Sequence, residues 1–394
     1  MTEQLRELKE ISDMMVNEVE MNFVRYLDQR IDWTDRLIGI KGPRGIGKTT
    51  LVLQRIRRYL NPADTLYVVA DHFFFSEHRI YDLALRFADM GGKHLFIDEI
   101  HKYKDWSREL KLIHDLRPKL QVVFTGSSML DIERGEEADL SRRAVMYDME
   151  GLSFREYLAM FQGIELPSYT LEQVLGHEVQ TPPDFLPLEQ FTRYLHQGYY
   201  PFARQNSFPL RLEQVVQKTV EVDIPYYANM NVSTAAKLKQ LMGIIARSVP
   251  FKPNYQKISQ MLDINRVQVK DYMLYLEKAG LLAQLRDTTG GIRALGKVEK
   301  VYLSNTALAY LLAGKQTDIG NVRETFFFSQ LRNDHDILAS RKADFEIGSY
   351  TFEVGGHGKG QRQIADAKDG YIVKDEITTG MGNIIPLWHF GLLY

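Results

Sequence analysis

Apolar residues over the first 150 positions fall into two alternating patterns. Short, nearly unbroken apolar runs occur at Leu37–Ile40, Thr65–Val69, His94–Ile97 and Gln121–Phe124. Runs of this length between polar turns predict strands buried on both faces. Between them apolar residues recur every three or four positions. LVLQRIRRYL follows the first run, and Trp106, Leu110, Ile113 and Leu116 follow the third, with Pro118 as the stop. Alternating strands and helices predict a parallel α/β sheet. Residues 1–30 read as one helix whose inner face carries Leu5, Leu8, Ile11 and Met15.

The strand pattern stops at Gly151. Ser153 and Glu156 form a capping-box pair ahead of a helix. Residues 165–188 hold four prolines and read as a loop, and helical stretches follow at 188–196 and 209–228. Residues 151–248 are expected to form a helical lid over a ligand held by the sheet. Tyr255–Leu262, a turn at Asp263–Asn265 and Arg266–Ala279 predict helix–turn–helix, with Val269, Tyr272, Met273 and Leu276 inward and Gly280 as the stop. Leu281–Arg286 and Lys297–Leu303 read as strands joined by a glycine-containing loop, which completes a winged-helix pattern over 249–303. Residues 304–394 mix a helix containing Asn321–Leu331, strands near 343–354 and one or two apolar C-terminal strands. The expected division is 1–35, 36–150, 151–248, 249–303 and 304–394.

Charge is nearly balanced, 49 basic against 51 acidic residues, so no global field recruits nucleic acid or a membrane. The absence of cysteine rules out disulfides, thiolate zinc sites and cysteine nucleophiles, and fits a cytoplasmic location. No apolar run approaches the length of a membrane span. Residues 250–305 hold nine Lys/Arg against five Asp/Glu. That mild excess leaves the winged helix open as a DNA contact, through Arg266, Lys270 and Arg293, or as a packing unit.

The chemistry concentrates where the first run meets its helix. Gly42, Pro43, Arg44, Gly45, Ile46, Gly47, Lys48, Thr49 and Thr50 read GPRGIGKTT. Glycines between a strand and a helix let backbone N–H groups approach phosphate oxygens, and the helix start adds the positive end of its dipole. In such a loop Lys48 reaches the β- and γ-phosphates and the Thr49 hydroxyl ligates Mg²⁺. The third run ends in Asp98-Glu99. There the first carboxylate holds Mg²⁺ and the second polarises the attacking water. Together the motifs predict a P-loop fold with ATP and Mg²⁺ as ligands. Thr65–Val69, intervening between the two motifs, suits the additional-strand P-loop ATPases. The fourth run closes on polar residues up to Ser128, with Ser127 as first choice and Thr125 as second for sensing the γ-phosphate. In Ser141-Arg142-Arg143 the arginines either reach a γ-phosphate, from this or a neighbouring subunit, or form a solvated turn. Trp33 and Tyr26 are candidate adenine contacts, with core packing as the alternative.

GPRGIGKTTLV, LFIDEIHKY, VVFTGSS, LSRRA, GLSFREYL, RETFFFSQL and IPLWHFGLLY, in that order, resemble the prokaryotic AAA+-type ATPases with a C-terminal restriction-endonuclease-like (PD-(D/E)xK-type) domain. The resemblance implies an AAA+-like sheet with helical lid, winged helix and α+β tail. It implies nucleotide contacts over Gly42–Thr50, Mg²⁺ on Thr49 and Asp98, and water activation by Glu99. Glu324, Asp344 and Glu353 match the acids of the nuclease fold. Gly355 stands where that fold carries a lysine, so the tail is expected to be inactive, with His357 or Lys359 as the only substitutes. Three functions remain open: an ATPase coupling nucleotide state to domain rearrangement, on DNA or without it; a slow nucleotide switch; and an ATP-dependent nuclease. An oligomer is compatible with each.

Overall fold

A computed structural model of the chain describes residues 2–127, 140, 142–228, 230–246, 248, 250–287, 296–360, 364 and 367–394. Ser128, Ser141 and Arg293 lie outside these residues. The chain forms two compact units, Met1–Glu150 and Gly151–Tyr394.

The first unit is built on five strands: β1 (Leu37–Gly42), β2 (Thr65–Val69), β3 (His94–Asp98), β4 (Gln121–Ser127) and β5 (Val145–Asp148). They lie in the order β2-β3-β4-β1-β5, and every pairing is parallel. The strand inserted in space between the phosphate strand β1 and the carboxylate strand β3 is therefore β4. The Thr65–Val69 strand, which intervenes only in sequence, is an edge. This order brings the C-terminal ends of β1, β3 and β4 side by side. Leu37, Ile38, Ile40, Leu66, Leu95, Phe96, Ile97, Val122, Val123 and Phe124 are buried, as their unbroken apolar runs require. Each contributes roughly 1.5–3 kcal/mol relative to exposure.

Helices α1 (Thr2–Glu18), α2 (Leu27–Arg30), α3 (Lys48–Tyr59), α4 (Phe74–Glu77), α5 (Ile80–Asp89) and α6 (Trp106–Leu116) complete the unit. The single helix expected over 1–30 is broken between Glu18 and Leu27. The intervening backbone is used elsewhere: the carbonyls of Glu20 and Phe23 accept from Gln54 Nε2 at 2.6 and 2.8 Å. Leu5 and Leu8 join the core, and Ser12 Oγ accepts the Tyr67 backbone N–H at 3.0 Å, satisfying a donor of edge strand β2. On α6, Trp106, Leu110 and Ile113 face the core, but Leu116 in the last turn is exposed.

In the second unit the capping box at Ser153 forms as expected, each partner's backbone N–H donating to the other's side chain ahead of helix Phe154–Gln162. Inside the proline-rich segment a second capping box, Thr170 with Gln173, starts a five-residue helix, Leu171–Leu175. Local capping outweighs the turn signal of the flanking prolines there. Helices follow at Pro187–Gln197 and Phe208–Lys218, the latter running through a π-helical turn at Thr219–Asp223 into Ile224–Tyr227. Helices Tyr255–Leu262 and Arg266–Lys278 precede an antiparallel pair, β6 (Leu282–Arg286) and β7 (Val298–Leu303).

The remainder forms a mixed sheet of β8 (Ile337–Ala339), β9 (Phe345–Ile347), β10 (Tyr350–Gly355), β11 (Gly370–Lys374) and β12 (Ile384–Pro386), in the order β12-β11-β10-β9-β8. Helix Ile319–Leu331 supplies Phe326, Phe327 and Phe328 to its core. The apolar C-terminal segment is strand only at Ile384–Pro386; Leu387–Leu392 winds into a buried 3₁₀ helix. Among the described residues no helix is long and apolar enough to cross a membrane.

Candidate functional site

β1 ends at Gly42 and α3 begins at Lys48. Gly45 and Gly47 hold φ of 82° and 98°. These are left-handed conformations that glycine adopts without the Cβ penalty, and they curl the loop so that its N–H groups face inward. Lys48 is buried, and its Nζ donates to the Gly42 and Pro43 carbonyls, each at 2.9 Å. Burial lowers the Lys48 pKa to about 8; Glu99 and Asp98 partly restore it, and Arg44 adds to the lowering.

Asp98, at the end of β3, is buried under four donors. Its Oδ2 accepts from Thr49 Oγ1 at 2.6 Å and from the Tyr67 hydroxyl at 2.8 Å. Its Oδ1 accepts from Thr125 Oγ1 and from the Glu99 backbone N–H. Burial and the neighbouring Asp98 charge push the Tyr67 pKa far up, so its hydroxyl stays a donor. The structure thus brings together Thr49 and Asp98, an oxygen-only pair suited to a hard cation such as Mg²⁺.

Glu99 sits at φ 54°, which turns its side chain out of the strand run. His101 is buried, its Nε2 lies 3.2 Å from Glu99 Oε2, and its Nδ1 accepts the Ser127 backbone N–H at 3.1 Å. That acceptance places the ring proton on Nε2, which donates to Glu99. Burial raises the Glu99 pKa, but the hydrogen bond from His101 and the charges of Lys48 and Arg44 outweigh it and bring it to about 2. The carboxylate is ionised at every physiological pH.

The two hydroxyls proposed for sensing differ. Thr125 is committed to Asp98, whereas Ser127 ends β4 with its backbone on His101. The arginine pair is not at this site. β5 begins at Val145, and Ile38, near the start of β1, pairs with Val145. Arg142 and Arg143 therefore lie at the sheet end opposite the loop, separated from it by the length of β1, about 20 Å at ~3.3 Å per residue. Arg143 there grips Asp115 at 2.8 and 3.0 Å. Within one chain the pair does not reach a phosphate held by Gly42–Thr50. Trp33 lies at the same far end, its indole N–H on the Asp28 carbonyl at 2.8 Å and the Arg55 guanidinium 4.6 Å from its ring centroid. Tyr26 is a core residue.

Three contributors had no sequence signal that singled them out. Tyr67 looked like a core aromatic of an apolar run, and His101 like a polar residue after one. Arg25 is buried, with Nη1 donating to the Ile46 carbonyl at 2.7 Å and Nη2 to the Glu150 carbonyl at 2.8 Å.

In the second unit Glu324, Asp344 and Glu353 converge, but onto lysines. Lys300 Nζ, from β7, donates to Glu324 Oε2 at 3.0 Å and Asp344 Oδ1 at 3.1 Å. The Tyr302 hydroxyl donates to Glu324 Oε2 at 2.8 Å. Lys359 pairs with Glu353, so the cation expected to be missing at Gly355 arrives from further along the chain. A Cβ on Gly355 would come within 2.7 Å of the Lys359 methylenes. The glycine is what lets that side chain fold back. Burial raises the Glu324 pKa, with Asp344 adding and Lys300 opposing. Burial lowers that of Lys300, but the two carboxylates more than reverse this and leave it raised. Among the described residues no three His, Asp or Glu side chains are grouped to hold a metal ion.

Comparison with known proteins agrees with the first unit. Residues 34–158 match the AAA domain family model, and residues 188–318 match a family described as a domain of unknown function (DUF8612). The uncharacterized protein MJ1637 of Methanocaldococcus jannaschii is 26% identical over 273 residues, covering 63% of this chain and 56% of that protein. The chain thus spans just over half the length of that relative. Solved structures overlap loosely. C. elegans PCH-2 does so at 13% identity and TM-score 0.26, over 68% of this chain and 67% of that one. The S. cerevisiae Hsp104–ADP complex does so at 16% and 0.28, over 71% and 39%. A katanin structure does so at 15% and 0.25, over 41% and 57%. Residues 34–158 are similar to the AAA domain family, and their parallel sheet and phosphate-type loop agree with a P-loop fold.

Proposed function

We propose that the chain binds and hydrolyses ATP at Gly42–Thr50. The observation that carries this reading is the Thr49–Asp98 hydrogen bond at 2.6 Å with Glu99 as the next residue. It sets a hydroxyl and a carboxylate for Mg²⁺ beside a fixed general carboxylate. Backbone N–H groups of the loop and the Lys48 ammonium hold the phosphates. Mg²⁺ on Thr49 and Asp98 supplies Lewis-acid neutralisation of phosphate charge. Glu99 accepts a hydrogen bond from a water placed opposite the β–γ bridging oxygen. The water oxygen bonds to the γ-phosphorus, the bond to the bridging oxygen breaks, and ADP and phosphate leave. With a pKa of about 2 Glu99 orients the water rather than storing its proton, which ends on phosphate. Ser127 at the end of β4 is the γ-phosphate sensor, and Arg142 and Arg143 act, if on phosphate, on that of a neighbouring subunit.

In this reading residues 151–248 form the lid and 249–303 a winged helix that meets DNA phosphates through the exposed Arg266 and Lys270. Residues 304–394 form a nuclease-like domain without cleavage activity, because Lys300 bridges Glu324 and Asp344 where a metal ion would bind. The deciding experiment is ATP turnover by Glu99→Gln. ATP binding retained with turnover lost supports the reading, and wild-type turnover rejects it. A turnover rate unchanged by DNA would favour the slow switch over coupling on DNA.

A further inference from the structure

A second charged cavity, of about 350 Å³, opens in the first unit away from the P-loop. Its lining includes Trp33, Arg36, Arg55, Lys93, His94 and Lys119, and no carboxylate. Lys93 and His94 stand at the start of β3, Lys119 just before β4 and Arg36 just before β1. The cavity therefore lies at the N-terminal ends of the strands, the sheet end opposite Gly42–Thr50.

Four cations, Arg36, Arg55, Lys93 and Lys119, surround this cavity. Two of them, Arg55 and Lys93, have a carboxylate nearby. Arg36 Nη2 donates to the His114 carbonyl at 2.6 Å, which neutralises nothing, and its Nε is buried without a hydrogen-bond partner. Arg55 is held as a plate between the rings of Trp33 and Tyr59, 4.6 and 4.1 Å from their centroids, with Asp28 4.0 Å away. Lys93 has one carboxylate, Asp64, at 2.8 Å. Lys119 is exposed. The lining carries cations and no carboxylate, which suits an anion. Guanidinium groups held in place also present the fork that phosphate oxygens accept in pairs.

We infer that this cavity binds a compact oligophosphate, of the class of pyrophosphate or a nucleotide's phosphate chain, at a site separate from the P-loop. The inference does not depend on hydrolysis at the P-loop.

The test titrates magnesium-free inorganic pyrophosphate into full-length Lys48→Ala protein, which lacks the P-loop ammonium, by calorimetry. Saturable binding that weakens with added salt is expected. Adding Arg36→Gln should weaken it about tenfold or more, as loss of a charge-assisted contact does. Lys93→Gln with Lys119→Gln, both at exposed positions, should weaken it about fivefold, the scale of partly screened charges. With Lys48 intact, each variant should keep the thermal shift produced by ATP, which verifies its fold. No saturable binding to Lys48→Ala, or binding untouched by both sets of substitutions, overturns the inference. Tighter binding of a short single-stranded oligonucleotide than of pyrophosphate also overturns it, in favour of an extended nucleic-acid surface.

Discussion

The P-loop end of the first sheet and the acid cluster of the second unit are made of the same parts, carboxylates, a lysine and a tyrosine, arranged in opposite ways. At the P-loop, Asp98 is satisfied by the neutral donors Thr49, Tyr67, Thr125 and a backbone N–H, while Lys48 leans on two carbonyls. Neither charge is used up on the other, although each is held in place. In the second unit Lys300 bridges Glu324 and Asp344, and Lys359 closes on Glu353. Neutral donors orient a charge and leave it available, whereas a counter-charge consumes it. This contrast is why one cluster reads as a working site and the other as a packed one.

The strongest way to break the contrast is at Glu99. Glu99→Gln should lower ATP turnover by about a hundredfold or more, the scale of losing one group that orients the reacting water. Fluorescent-nucleotide binding should stay within a few-fold of wild type. The next concerns Lys48, whose availability depends on its proton. Free protein holds its pKa near 8, and bound phosphate raises it. ATP affinity should therefore be greatest below pH 8 and fall as pH rises through it, by up to about tenfold per pH unit. An affinity flat between pH 7 and 9.5 would show that the ammonium is not used.

In the second unit, Lys300→Ala leaves Glu324 and Asp344 facing each other without a counter-ion. Stability at pH 7 should fall by about 2 kcal/mol in urea unfolding, less than the 3–5 kcal/mol of a fully buried pair because Lys300 is partly exposed. The sign with pH follows from the acids. The Glu324 pKa is already raised by burial and Asp344, and losing the ammonium raises it further, so protonation stabilises the native state and the deficit should shrink as pH falls toward 5. A deficit that grows on acidification would contradict the arrangement. The smallest effect sharpens the P-loop side: Tyr67→Phe removes one of four donors to Asp98 and should raise the Mg²⁺ concentration needed for half-maximal turnover by about two- to fivefold, with ATP affinity in EDTA unchanged.

Sequence reading succeeded where the signal was local. The apolar runs gave the strands, GPRGIGKTT gave the loop, and Ser153 with Glu156 gave a capping box that forms as expected. It failed where a residue's role is decided by a partner far along the chain. Tyr67 meets Asp98 across 31 positions, and Lys300 meets Asp344 across 44. No periodicity records such pairs. The arginines stayed undecided in sequence because a place between two strands says nothing about which end of the sheet the connection occupies. At Gly355 a motif that counts positions left Lys359 only as a possible substitute, and the glycine turn lets it return to the same acid.

Arg25 has a mechanical consequence. Its guanidinium is planar and rigid, and its two arms hold the Ile46 carbonyl inside the phosphate loop and the Glu150 carbonyl, the last residue of the first unit. The loop that grips phosphate and the point where the chain leaves the unit are thus tethered to one inflexible plate. A tug on either carbonyl is transmitted to the other over the length of a single side chain, with no intervening element to absorb it.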